Sequence, residues 1–163
     1  MTKNNSANDT ITKMRRFARE CALQYIYQLD QQNEWIVSTQ SLRIFWQQVE
    51  EQDNCNTKPV PEKTVEFTNN LIKGVVTHRK ELDTQIELAS SNWTMDRMSN
   101  VDKNVLRLAT FELYHCDNIP GVATINEAVE LAKYFGHKNS SRFVNGVLDK
   151  LFHQQQALNK EKS

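Results

Sequence analysis

The stretch ATINEAVELAKYFGHKNSSRFVNGVLDKLF, residues 123–152, contains the strongest structural pattern in the chain. In its second half, six apolar residues recur at helical spacing, namely Phe143, Val144, Val147, Leu148, Leu151 and Phe152. This spacing places all six on one face of a helix, which favours burial of that face. A short polar segment separates this helix from a preceding one. The stretch therefore predicts two helices joined by a turn, with the second helix closing part of the core.

The second helix also contains Asn145 and Gly146, a pair with poor helix propensity. A glycine inside a helix costs about 1 kcal/mol relative to alanine. Its presence indicates that another helix or a ligand comes too close for a side chain, and close helix packing is the simpler explanation.

Amphipathic patterns of the same kind continue toward both ends of the chain. Helices are predicted over 13–30, 38–52, 61–90, 101–114, 124–136 and 140–154, where 61–90 forms one helix or two. The residues predicted to cap or start helices are Ser38, Pro61, Thr124 with Glu127 in a capping box, and Asn139 or Ser140. Residues 53–60 form the clearest loop, and Gly136 is placed to end a helix.

The composition favours an all-α fold, because the 163 residues include only four glycines and three prolines and show little β-type alternation. We expect one domain, a bundle of about six to seven helices over residues 13–154. Residues 1–12 are predicted to form a disordered N-terminal tail, and residues 155–163 are predicted to form a frayed C-terminal tail. The absence of an 18-residue apolar run and of a signal-peptide pattern predicts a cytoplasmic protein with no membrane contact.

Residues with catalytic or metal-binding potential are scattered. The four histidines lack the spacing of metal ligands on a helix, and they are predicted to be structural or surface residues. Cys21, Cys55 and Cys116 form no CxxC pair, so reduced thiols are expected, with Cys21 and Cys116 facing the core. No glycine-rich phosphate loop is present. The sequence therefore predicts a protein that is not an enzyme and needs no cofactor or metal.

Two local basic clusters stand out in a chain whose formal net charge is zero. Arg15, Arg16 and Arg19 lie near the predicted start of the first helix, where the helix dipole disfavours positive charge, so an external anion such as phosphate would explain them. The alternative is a solvated face in which Arg16 pairs with Glu20. The second cluster contains Lys133, Lys138 and Arg142 around the last turn.

Other side chains suggest what these clusters could bind. Single-stranded RNA needs stacking partners and amides that read base edges, and Phe17, Tyr134, Asn139 and Asn145 are candidates. Leu23 and Tyr27 form an apolar pair off the main stripe of the first helix, which suggests a second protein as partner.

Four segments of the chain are RRFARECALQYIYQ (15–28), NLIKGVVTHRKELD (70–83), VDKNVLRLATFEL (101–113) and TINEAVELAKYFGHKNSSRFVNGVLDK (124–150). These segments resemble the NusB (N-utilisation substance B) family of bacterial transcription antitermination factors. The resemblance spans about residues 13–152. It implies an all-α fold of two small helical subdomains. It also implies binding of the boxA element of ribosomal RNA leader transcripts together with ribosomal protein NusE, which promotes read-through by RNA polymerase.

The resemblance also assigns roles to individual residues. RNA contact falls on Arg15, Arg16, Arg19, Asn139, Arg142, Phe143 and Asn145, to which the basic pattern adds Lys138. In many relatives an arginine stands where this chain has Phe17, so the basic patch is thinner here. NusE contact falls on the side bearing Tyr27 and Asp102, and the apolar pair adds Leu23.

Two alternatives remain open at this stage. The chain could be a helical protein-interaction module or a homodimer that hides its RNA surface. It could also be an accessory domain to a ribosomal RNA methyltransferase, because NusB-like domains occur fused to such enzymes.

Overall fold

A computed structural model describes residues 2–52, 58–91 and 93–163, and this part of the chain contains six α-helices, one 3-10 turn and no β-strand. The helices are α1 (Thr2–Gln32), α2 (Thr39–Gln52), α3 (Glu62–Ala89), α4 (Asn100–His115), α5 (Gly121–Phe135) and α6 (Ser140–Lys162), and the 3-10 turn is Met95–Arg97. The all-α prediction is confirmed. No helix within the described ranges is long and apolar enough to cross a membrane.

The chain forms two compact units, residues 1–76 and residues 77–163, and the boundary falls inside α3. This division agrees with the two small helical subdomains that the resemblance implies. The segment 61–90, predicted to form one helix or two, is one continuous helix. Cys55 and most of the predicted 53–60 loop lie outside the described residues.

In the first unit, α1, α2 and α3 are joined by aromatic contacts and side-chain hydrogen bonds. Tyr25 on α1 packs edge-on against Phe45 on α2 at 5.1 Å between ring centroids, and its hydroxyl donates to Ser41 Oγ at 2.8 Å. Trp46 Nε1 donates to Asn69 Oδ1 on α3 at 2.9 Å. Each buried polar atom in these pairs therefore has a partner, which removes the cost of burying it unsatisfied.

Predictions about the interior and the helix ends of this unit agree with the structure at three positions. Cys21 is buried as expected, and burial raises the pKa of its thiol to about 12. The Ser38 cap is confirmed, because the Ser41 N–H donates to Ser38 Oγ at 3.0 Å. Pro61 directly precedes α3, and its carbonyl accepts from the Thr64 N–H at 3.0 Å.

The start of α1 differs from the prediction. The helix begins at Thr2 and not near Lys13, so the described part of the segment predicted to form a disordered tail is helical, and residues 4–12 are exposed. This segment contains no proline or glycine to stop a helix. Its turns are linked by Thr10 Oγ1 donating to the Ser6 carbonyl at 2.9 Å and by an Asp9–Lys13 ion pair at 3.0 Å. Similarly, α6 continues to Lys162 through the segment predicted to fray.

In the second unit, α4 packs against α5 and α6, which also pack against each other. Ten consecutive residues of α4, 104–113, are buried, as its nearly all-round apolar pattern predicts for a central helix. Ser99 caps α4 by accepting from the Asp102 N–H at 3.1 Å. Cys116, the residue after α4, is half-buried.

A buried ion pair joins α3 to α4 in this unit. Arg107 Nε and Nη2 donate to the two carboxylate oxygens of Asp83 at 2.7 and 3.1 Å, and Nη1 donates to Asn104 Oδ1 at 2.9 Å. The guanidinium is thereby held in a two-point fork that matches the carboxylate.

The capping box predicted for α5 is wrong. The helix begins at Gly121, so Thr124 lies inside it and is buried, with its hydroxyl 3.5 Å from Glu112 Oε1 on α4. Pro120 occupies the cap position, and its carbonyl accepts from the Thr124 N–H at 3.1 Å. The Phe152 ring of α6 packs directly on Gly121. A Cβ at Gly121 would lie 2.3 Å from that ring, so α5 and α6 make a close contact at Gly121.

Candidate nucleic-acid interface

The three arginines of α1 do not share one environment. Arg16 is exposed and Arg15 is partly exposed, whereas Arg19 is 4% exposed. The guanidinium groups of Arg15 and Arg19 both lie 5.8 Å from the Phe67 ring centroid on α3. The Phe67 ring therefore covers part of the buried Arg19 side chain within the first unit and makes a cation–π contact with it. The prediction that Arg19 faces RNA is therefore corrected, and the solvent-facing members are Arg15 and Arg16.

The helix-dipole argument for these arginines is also corrected. Because α1 begins at Thr2, they lie in its middle, beyond the first turn in which the dipole acts. Phe17, the aromatic residue within the cluster, is 40% exposed. The cluster therefore offers two cationic side chains and one aromatic face to a ligand.

The residues predicted to contact a protein partner also divide by exposure. Leu23 is 5% exposed and belongs to the core, so the predicted second apolar face is reduced to Tyr27, which is 36% exposed. Asp102 is partly exposed in the first turn of α4. Its Oδ1 is buried without a hydrogen-bond partner among the described residues, and the positive end of the helix dipole favours a carboxylate there.

The turn between α5 and α6 is held by a compact set of hydrogen bonds. Gly136 ends α5 as predicted, with its N–H donating to the Ala132 carbonyl at 2.9 Å. The His137 N–H donates to the buried Ser140 Oγ at 2.8 Å, whereas Asn139 occupies the cap position without a side-chain hydrogen bond. A Cβ at Gly136 would lie 2.5 Å from that oxygen, so only glycine fits. The amide of Asn139 is thereby left exposed beside Lys138.

From this turn, one face of α6 carries polar, aromatic and basic groups at helical spacing. Arg142 and Phe143 follow Asn139 by three and four positions and precede Gly146 by four and three, and Lys150 and His153 continue this spacing. Arg142, Asn145 and Lys150 are exposed, and Phe143 is partly exposed. The structure therefore brings together Lys138, Asn139, Arg142 and Phe143, all of which were predicted to contact RNA.

The expectation that another helix packs closely on Gly146 is wrong. A Cβ at this position meets no atom of the described residues within 4 Å. Gly146 instead lines a groove of about 640 Å³ in the second unit. The groove is bounded on the α6 side by Arg142, Phe143, Gly146, Val147, Asp149, Lys150 and His153, and on the other side by Ala89, Ser90, Ser91 and Trp93.

Trp93, on the far wall, carries no motif or spacing that marks it as a candidate in the sequence. Its indole is 51% exposed, lies 6.3 Å from the Phe143 ring centroid, and is covered by the Arg97 guanidinium at 5.9 Å. The Trp93 N–H donates to the Ser90 carbonyl at 3.3 Å. Lys150 and His153 were missed as well, although their spacing from Gly146 could have identified them.

The histidines, predicted to be structural or surface residues, include one close pair. His78 and His115 stack at 4.2 Å between ring centroids, and His115 also stacks on Phe111 at 5.1 Å. Partial burial and the neighbouring His78 lower the pKa of His115. Among the described residues, no group of three or more acidic, histidine or cysteine side chains is arranged to hold a metal ion.

Comparison with known proteins identifies a common family. The sequence profile of the NusB family matches residues 16–153. The chain is 45% identical over 141 residues to the transcription antitermination protein NusB of Anaeromyxobacter dehalogenans strain 2CP-1, which covers 86% of this chain and 92% of that protein.

Solved structures show the same architecture. NusB of T. maritima superposes with a TM-score of 0.70 at 32% identity, covering 85% of this chain and 90% of that one. A chain from a crystal structure of antitermination factors NusB and NusE in complex with double-stranded RNA superposes with a TM-score of 0.70 at 26% identity, covering 87% of this chain and 98% of that one.

Proposed function

Because the chain belongs to the NusB family, we propose that it is a transcription antitermination factor that binds boxA-type RNA of ribosomal RNA leader transcripts together with ribosomal protein NusE. The observation that carries this proposal is the family match across both units, from residue 16 to residue 153. A solved relative of the same fold is a complex of NusB with NusE and RNA, which supports the choice of partners.

The proposed mechanism is binding without covalent chemistry. Arg15 and Arg16 attract RNA phosphates at α1, and Lys138 and Arg142 do so at α6. Asn139 and Asn145 present amides that hydrogen-bond to base edges, which phosphate contacts alone cannot distinguish. The bound RNA and NusE then act on RNA polymerase as parts of an antitermination complex in the cytoplasm.

NusE is proposed to contact Tyr27 in the first unit and Asp102 in the second unit. A phenol that is 36% exposed supplies apolar area and one hydrogen-bonding group, which suits the centre of a protein interface. The carboxylate of Asp102 supplies negative charge at the start of α4, where a basic partner residue would pair with it. When two weak contacts are joined in one complex, formation of the first contact raises the effective concentration at which the second one forms.

A mobility-shift titration with boxA-type RNA and a scrambled RNA of equal length, in the presence of NusE, tests the proposal. We expect preferential binding of the boxA-type RNA. Alanine at both Arg15 and Arg16 should weaken binding and lower the salt slope by about 0.7 for each RNA phosphate that is no longer neutralised.

The matched control is Arg43→Ala, because Arg43 is an exposed arginine on α2 that no part of the proposal uses. It should leave both affinity and slope unchanged. Equal affinity for the two RNAs would refute the proposed function. An unchanged slope in the double arginine variant would show that Arg15 and Arg16 form only a solvated face.

A further inference from the structure

Gly146 has no structural reason to be glycine. Glycine disfavours a helix more than any residue except proline. Among the described glycines none has a positive φ, so backbone conformation does not require it here. Packing does not require it either, because a Cβ would meet nothing within 4 Å among the described residues. A side chain at position 146 would extend into the groove between α6 and Trp93.

We infer that this groove accepts one unstacked base of single-stranded RNA, with Trp93 as the stacking surface and Gly146 as the open floor. The inference rests on the proposed RNA-binding function and assigns a base-binding subsite to it. The volume of about 640 Å³ lies within the range of about 300–1,000 Å³ that small-molecule sites occupy, so a base and its sugar have room to enter.

The walls offer the contacts that an isolated base needs. The side chain of Trp93 is 51% exposed although the Arg97 guanidinium lies over its ring, and its backbone N–H donates to the Ser90 carbonyl. Phe143, tilted by 58° to Trp93, adds a second aromatic surface. Every base has a π-face, so stacking on such a residue tolerates different sequences. The carboxylate of Asp149 at the groove can accept a hydrogen bond from an exocyclic amino group of a base.

The charge of the rim favours RNA over a protein segment. Arg142, Lys150 and His153 line the groove, whereas Asp149 is its one acidic residue among the described residues. A phosphate on either side of the bound base would find a cation. The exposed turn residues Lys138 and Asn139 precede the groove residue Arg142 by four and three positions, so an RNA strand bound at the turn would have only about one helical turn to cross.

Filling the groove tests this inference. Gly146→Leu should lower the affinity of the complex with NusE for boxA-type RNA by about tenfold or more, which corresponds to the contribution of one stacked base. The same substitution should raise the midpoint of thermal unfolding by a few degrees, because leucine is a good helix former. Gln156→Leu, an exposed position on α6 outside the groove, is the matched control and should leave RNA affinity unchanged.

Trp93 gives an independent measurement that does not depend on the folding of the leucine variant. Binding of a short single-stranded oligonucleotide should quench the fluorescence of Trp93, because Trp46 is buried and Trp35 is partly buried in the other unit. Trp93→Phe should abolish this quenching while keeping more RNA affinity than Trp93→Ala, since phenylalanine can still stack.

The outcomes separate this inference from the proposed function. If the wild-type complex binds boxA-type RNA and Gly146→Leu binds it equally well, the subsite is refuted and the function stands. If Gly146→Leu weakens association with NusE and leaves RNA affinity unchanged, the groove is a protein-docking surface and the inference is wrong. If the wild-type complex fails to bind the RNA, both are refuted.

Discussion

Removal of Asp83 alone from the Arg107–Asp83 pair should destabilise the second unit far more than removal of both partners. The side chain of Arg107 is 5% exposed and that of Asp83 is 19% exposed. Asp83→Leu takes the carboxylate away from a buried guanidinium, which keeps its hydrogen bond to the neutral Asn104. Breaking a buried ion pair in this way costs about 3–5 kcal/mol, and we expect about 3 kcal/mol because Asp83 is not fully buried.

The reverse substitution should cost less. Arg107→Met leaves Asp83 partly hydrated and still 3.8 Å from Arg79 Nη1, so a decrease of about 1–2 kcal/mol is expected. In the double variant neither charge of the pair remains, and its stability should lie within about 1 kcal/mol of the wild type. For a chain of this length, about 3 kcal/mol corresponds to a decrease of roughly 6–12 °C in the unfolding midpoint.

Urea denaturation followed by circular dichroism measures these four free energies of unfolding. Hydrogen exchange of the α4 amides assigns the destabilisation to the second unit, because the two units need not unfold together. The reasoning is refuted if the double variant is as unstable as Asp83→Leu, or if Asp83→Leu is destabilised by less than about 1 kcal/mol.

Two further predictions concern the second unit. Partial burial and His78 lower the pKa of His115 from 6.5, while Glu81 and Asp117 oppose this shift, so the unfolded chain binds this proton more tightly. The contribution of neutral His115 to the free energy of unfolding should therefore be fully present above about pH 7, and it should be lost as the pH decreases through about 6.5 toward the lower folded-state pKa. His115→Gln should flatten this pH dependence, which urea denaturation at a series of pH values measures. Gly121→Ala should lower stability by about 1–3 kcal/mol, because its Cβ would meet the Phe152 ring at 2.3 Å. Phe152→Leu should relieve part of that destabilisation, and equal stability of Gly121→Ala and the wild type in thermal unfolding would contradict the packing argument.

Local patterns predicted the helices well, because an amphipathic stripe reports directly on which face is buried. All four of Val144, Val147, Leu148 and Leu151 are buried as their spacing predicts. Helix ends were less predictable. At the start of α5, Phe152 packs on Gly121 from another helix, and such a contact leaves no signal in the neighbouring sequence.

The candidate site was only partly predictable for the same reason. The basic pattern identified Arg15, Arg16 and Arg19 but could not show that Phe67, on a different helix, covers Arg19. An isolated glycine in a helix indicates that a side chain is unwanted, but sequence alone does not show what lies opposite. Only the placement of Trp93 across from Gly146 distinguishes an open groove from a close helix contact.

The central claim is that this chain and NusE bind boxA-type RNA as one unit. The most direct measurement is the affinity of fluorescently labelled boxA-type RNA, by anisotropy, for the chain alone, for NusE alone and for an equimolar mixture. We predict that the mixture binds about 100-fold more tightly than either protein, because each contact raises the effective concentration of the other. An affinity of the mixture equal to that of the better single component would contradict the account.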